Sequence, residues 1–226
     1  MTIGLALSRF HISPMPTSRS VAPPDIARLP ELRALRARST PRGVQDFLDQ
    51  IPINYERRGE TCSSVLATLR RNSAHCMEGA LVAALALWLR GQPPLLMDLK
   101  TTPNDVDHVV ALYRRGRYWG AITKTNHAVL RYREPIYRDL RELAASYFHE
   151  YFLNDGRKTL RAFSQPYDLR QHGTDWITRD DELWDIERAV DQSPHVSLIN
   201  RSQIAALRRA DAIEIRAGKL VEWRRA

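Results

Sequence analysis

Hydrophobic positions along this chain change period twice. From Gly43, the residues Val44, Phe47, Leu48 and Ile51 recur at helical spacing until Pro52 ends the run, and Val65, Leu66 and Leu69 mark a second amphipathic piece within residues 62–71. The strongest helix is predicted over residues 76–90. There Ala80, Leu81, Ala84, Leu85, Leu87 and Trp88 form an apolar surface too wide for a surface helix, so it is expected at the centre, closed by Gly91 and Pro93-Pro94. The spacing then becomes that of strands. Residues 95–99 read as a short buried strand, and residues 108–113 and 118–123 as a hairpin turning near Gly116. Residues 135–152 return to helical spacing, with Ile136, Leu140, Leu143, Ala144, Tyr147, Phe148 and Tyr151 as a packing stripe. Helices are expected again at 183–190 and 202–209, and a last hairpin pairs 212–215 with 220–223. The fold class predicted is α+β, a central helix packed on a small antiparallel sheet.

Composition divides the chain further. Residues 1–42 mix proline, serine and arginine and read as a loosely ordered lead-in, with room for one short helix at 26–36. Residues 43–163 carry the core pattern. Residues 164–226 read as a C-terminal extension packed on that core, with Trp176, Trp184 and Trp223 as anchors. The longest apolar run, 80–89, is too short to span a bilayer, and no basic stretch precedes the apolar patch of residues 1–9, so neither a membrane nor a secretory route is expected. The expected compartment is the cytoplasm. A net charge of +8 and a pI near 9.9 invite a polyanion reading. The basic residues are nearly all arginine, with lysine only at Lys100, Lys124, Lys158 and Lys219, and they are scattered. Without an RNA-binding motif or zinc finger, specific nucleic-acid recognition is not expected and ranks last among the functions considered.

Two cysteines, Cys62 and Cys76, are too few for a disulfide framework and match no zinc spacing. His75, His108, His127 and His149 lack the close pairing of zinc ligands, and no glycine-rich phosphate loop occurs, so no metal or cofactor is expected. Cys76 stands apart because it opens the central helix. The unpaired N–H groups of a helix N-terminus favour a thiolate over a thiol, and an imidazole alongside favours it further. Taken alone, Cys76 also fits a small buried core residue. His108 opens one strand and Asn126 follows the next. Asn126 is equally suited to a turn, and Asn72, a candidate oxyanion donor beside the Cys76 N–H, is equally suited to capping a helix.

The order of these residues carries a resemblance. The approach helix Val44-Gln45-Asp46-Phe47-Leu48, the helix Cys76-Met77-Glu78-Gly79-Ala80-Leu81, the strand from Asp107-His108 and the hairpin Gly116-Arg117-Tyr118-Trp119-Gly120 resemble the core of transglutaminase-like cysteine enzymes over roughly residues 43–150. That resemblance implies a papain-like fold, Cys76 as nucleophile, His108 as its acid–base partner and a third residue orienting the imidazole. The family often has an aspartate in that third position. No acid stands near Thr123-Lys124-Thr125-Asn126, and Asn126 is the candidate. Ala74-His75 replaces the commoner glycine before the cysteine. The implied activity is thiol-mediated acyl transfer or hydrolysis on a protein or peptide amide; the alternative is an inactive module that binds protein or peptide in the same groove.

Overall fold

A computed structural model describes residues 24–224. The reading of residues 1–9, and the lead-in up to residue 23, lie outside the described residues. Short helices α1 (Pro24–Ala27) and α2 (Arg33–Arg36) lead into α3 (Pro41–Asp49), α4 (Val65–Arg71) and α5 (Cys76–Trp88). Strands β1 (Leu95–Lys100), β2 (His108–Arg115), β3 (Tyr118–Ile122) and β4 (Arg133–Tyr137) follow, then α6 (Leu140–Ala145), β5 (Ala162–Ser164) and β6 (Tyr167–Asp168). The chain continues through α7 (Asp175–Thr178), α8 (Trp184–Asp191), β7 (His195–Ser197), α9 (Arg201–Ala205) and α10 (Ala212–Gly218).

The architecture is α+β. Its sheet has seven strands in the order β4-β3-β2-β1-β5-β7, with β6 also on β1, and its pairings are antiparallel. One face carries Leu96, Ala111, Tyr113 and Ile122 against α5 and the helices around it. The other carries Leu95, Met97, Leu99, Val110, Leu112 and Ala121 against α6, Tyr147 and Tyr151. This alternation follows from the two-residue period of a strand covered on both sides. Helix α5 is the centre of the first layer: every residue from Met77 to Trp88 is buried, and Cys76 alone stays part-exposed.

The helical part of the lead-in belongs to this core, since Leu32 and Leu35 are buried in the same cluster as α5. The sheet also runs across residue 164, because β5, β6 and β7 complete it. Two segments differ from the pattern reading. Arg133–Tyr137 is an edge strand rather than the start of a helix; Pro135 has no N–H to leave unpaired there, and Ile136 faces outward at 66% exposure. Ala212–Gly218 is a helix, not a hairpin strand, because Asp211 and Glu214 form a capping box at its start. The expected pairing of 212–215 with 220–223 is absent among the described residues, and Val221 instead bridges to His127.

Gly79 sets how closely α5 approaches the segment after β3. A Cβ built there would lie 2.3 Å from Lys124 Cβ. Alanine favours an exposed helix over glycine by about 1 kcal/mol, yet overpacking costs about 1–3 kcal/mol. Gly79→Ala is therefore expected to destabilise the fold despite its helix propensity, read as a lower midpoint in urea unfolding; a raised midpoint would show that the two segments separate freely.

Candidate active site

The loop into α5 is built around a buried carboxylate. Asn72 ends α4 in the left-handed region at φ 54°, a conformation asparagine tolerates, and His75 is the residue that caps α5. Glu78 in the first turn accepts the His75 N–H at 3.1 Å, the Ser63 N–H at 3.2 Å, the Thr61 hydroxyl at 3.0 Å and the Asn54 amide at 3.2 Å. It also pairs with Arg71 at 2.7 Å. Burial pushes the Glu78 carboxyl up, and the charges of His75 and Arg71 with these hydrogen bonds bring it below the usual carboxylate range. The His75 ring is fixed at both ends. Nε2 donates to the Thr61 carbonyl at 2.7 Å, and in the neutral ring Nδ1 accepts from the Met77 N–H at 3.3 Å.

Cys76 thus begins α5 with two imidazoles beside its sulfur, His108 and His75. Burial alone would push this thiol up. The hydrogen bonds and charges of His108 and then His75 reverse that and hold it well below the ordinary cysteine range. The thiolate acts back on its neighbour: burial lowers His75, but the bond to Cys76, the charges of Cys76 and Glu78 and the Thr61 carbonyl raise it to about 9. Cys62 contrasts with Cys76. It is fully buried, and burial with the nearby charges of Glu187, Glu78 and Glu182 pushes its thiol far up. Both cysteines are free.

His108 opens β2, next to the end of β3, and its Nε2 meets the Thr123 hydroxyl at 2.5 Å. Nδ1 is the ring nitrogen left for the sulfur. Thr123 is itself clamped by the Gln45 side chain, whose amide donates to the Thr123 carbonyl at 2.9 Å and accepts from its N–H at 3.0 Å. Gln45 behaves as a short strand partner where the β3 ladder has ended. Lys124 follows, buried, with Nζ on the Leu48 and Ile51 carbonyls at the end of α3.

Cys76 and His108 line a cleft of about 560 Å³ with His75, Tyr151, Asn126 and Asp107 among its walls. The Tyr151 hydroxyl is buried without a hydrogen-bond partner among the described residues. Burial, followed by the charge on Cys76, holds that phenol well above its usual range, so it is a neutral donor.

The structure therefore places Cys76 and His108 in one cleft, keeps Asn126 on its wall without a bond to the imidazole, and leaves Asn72 outside it. No hydrogen bond joins Asn126 to His108. The Asn126 amide donates to the Tyr55 hydroxyl and the Trp223 carbonyl and accepts from the Trp223 N–H, while Thr123 holds the ring. Asn72 is exposed, caps the end of α4 and does not line the cleft. His75, Thr123, Gln45 and Tyr151 are the residues that pattern reading did not single out. Continuing the hairpin register, in which Ala111 faces Ile122, would have placed Thr123 diagonally across from His108 on the same face. Among the described residues the His/Cys/Asp/Glu group close enough to hold an ion is Asp98, Asp107 and Asp191, and Lys100 already pairs with two of them.

Comparison with known protein families and with curated proteins finds no match to this chain. No helix among the described residues is long and apolar enough to cross a membrane.

An ordinary thiol loses reactivity about tenfold per unit of pH below about 8.5. Because the folded Cys76 pKa is depressed, the thiolate persists below that value. Its alkylation by iodoacetamide should stay level from about pH 8.5 down through about pH 7 and fall only in more acid solution, with native Cys62 unreactive. Peptide mapping of the labelled protein checks this, and a rate that falls tenfold per unit from about pH 8.5 would mark an unperturbed thiol.

Proposed function

We propose that this chain is a transglutaminase-like cysteine enzyme of papain-like fold that performs thiol-mediated acyl transfer or hydrolysis on a protein or peptide amide. The observation that carries the reading is Cys76 at the start of a buried helix, lining one cleft with His108. The Cys76 thiolate attacks the amide carbonyl carbon, and the carbonyl π pair moves to oxygen. The Cys76 N–H, in a first turn whose N–H groups lack intrahelical partners, and the Tyr151 hydroxyl are the donors for that oxyanion. The tetrahedral species collapses as the C–N bond breaks, and the leaving amine takes the proton from the His108 imidazolium. A thioester remains on Cys76. Water or a second amine attacks it while His108 takes the attacker's proton, and the product acid or new amide departs from the regenerated thiolate.

Thr123 serves as the third member. As the partner of Nε2 it fixes the tautomer and ring direction, and it brings no negative charge to stabilise the imidazolium. The stabilisation of the imidazolium that an aspartate supplies elsewhere falls here to the thiolate, which the positive end of α5 favours.

Mass spectrometry of the protein incubated with peptide amides, quenched in acid, should reveal an acyl adduct on Cys76. Cys76→Ala removes it, and His108→Ala slows both acylation and alkylation. Thr123→Val, which keeps shape and loses the hydroxyl, should reduce turnover by about tenfold or more with little change in Tm. Selective alkylation of Cys76 without any adduct from a broad peptide-amide set would favour the binding module over the enzyme.

A further inference from the structure

The wall of the cleft that holds Asn126 is already occupied by the chain itself. Asn126, His127 and Ala128 receive residues 220–223 as a short antiparallel pair. The Ala128 N–H donates to the Leu220 carbonyl at 3.0 Å, and the Glu222 N–H donates to the Asn126 carbonyl at 2.9 Å. The Asn126 side chain then brackets one residue, accepting from the Trp223 N–H at 2.8 Å and donating to the Trp223 carbonyl at 3.0 Å. The Tyr55 hydroxyl reaches that same carbonyl. Each of these bonds goes to strap backbone, and none reads a side chain.

Of the strap's side chains only Trp223 is half-buried, its indole Nε1 buried without a hydrogen-bond partner among the described residues, so the main chain and one aromatic ring make the contact. Leu220 and Val221 are exposed at 63% and 42%, so little apolar packing holds them. Glu222 pairs with Arg131 at 3.1 Å with both partners about one-third exposed. Tyr55, Asn126 and His127 line the same cleft as Cys76 and His108, as do Gly218 and Lys219 at the strap's entry. A surface that holds an extended segment by its peptide groups, beside a nucleophile, is how an extended polypeptide is presented for attack.

Resting on the acyl-transfer reading, we propose that Asn126–Ala128 with Tyr55 is the subsite that grips the backbone of an extended polypeptide substrate, and that residues 220–223 fill it in cis until substrate displaces them. Recognition at this edge is carried chiefly by the substrate's peptide groups. The role of Asn126 is to position substrate, not the imidazole.

The test uses the full chain carrying Cys76→Ala and a fluorescein-labelled peptide of sequence Lys-Leu-Val-Glu-Trp-Arg, the strap's own. Glu222→Pro removes the N–H that bonds the Asn126 carbonyl and frees the subsite without shortening the chain. Fluorescence anisotropy should show the peptide binding the Glu222→Pro chain at least tenfold more tightly than the chain with an intact strap. Adding Asn126→Ala should abolish the gain, and a labelled Lys-Ala-Ala-Ala-Trp-Arg peptide should keep most of it. Equal affinity with and without Glu222→Pro, or binding indifferent to Asn126→Ala, overturns the proposal. Both outcomes are independent of the thiol. Peptide binding that follows this pattern with no selective iodoacetamide labelling of Cys76 would defeat the enzyme reading and leave the subsite standing; selective labelling without the binding pattern does the reverse.

Discussion

A thiolate held in the first turn of a buried helix is the interaction on which the site depends. Three sources converge on the Cys76 sulfur: the positive end of α5, the His108 ring and the His75 ring. Burial works against all three, since an unpaired charge in a closed place is costly. The arrangement succeeds because the neighbouring charge is also satisfied. Glu78 would repel the thiolate if it stood free, but it is fully buried and bonded to Arg71, Asn54, Thr61, Ser63 and the His75 N–H. Removing a partner of the buried Glu78 carboxylate leaves its charge less compensated where water does not reach it. Glu78 therefore ties three stretches, around Asn54, Thr61–Ser63 and Arg71–His75, into one rigid mount for the cysteine.

The mount must meet the sheet at the correct depth. Gly79 lets the side of α5 rest on Lys124, and Lys124 in turn reaches the carbonyls that close α3. From α3, Gln45 returns to clamp Thr123, which holds His108. The path from sulfur to imidazole support thus passes through two helices and one strand end without leaving the buried interior. Such a closed circuit keeps the ring and the sulfur in fixed relation, which a catalytic pair requires within fractions of an ångström.

Pattern reading located the helices at α3, α4, α5 and α8 and the strands β1, β2 and β3, because each presents a clean period and a marked stop. It failed where side-chain pairing overrode period. Asp211 and Glu214 turn an apparently alternating segment into a helix, and Pro135 tolerates an edge that the aromatic stripe around it disguised. In the site, Cys76 and His108 were legible because chain position alone distinguishes a helix start and a strand start. Thr123 was not. An undistinguished hydroxyl becomes the ring's partner only through hairpin register, and an amide three residues on looked better suited by chemistry while geometry gave it to the strap. His75 was passed over as a missing glycine, although as the residue before a helix-opening cysteine it is positioned both to cap and to donate.

The strap adds a thermodynamic condition to any chemistry in the cleft. A segment tethered to its own binding edge acts at an effective concentration of the order of millimolar. A free peptide binding the same edge with similar backbone contacts must therefore exceed that level or add contacts of its own. Beyond the half-buried Trp223 ring the strap's side chains add little: an exposed pair such as Arg131–Glu222 is worth about 0–1 kcal/mol. A polypeptide that fills the cleft toward Cys76 as well as the Asn126 edge gains interactions the strap lacks, and each 1.4 kcal/mol of them shifts the competition about tenfold. On the proposed acyl-transfer reading, selectivity would then follow from reach: a substrate long enough to bond the edge and reach the sulfur at once would displace the strap, and a short one would not.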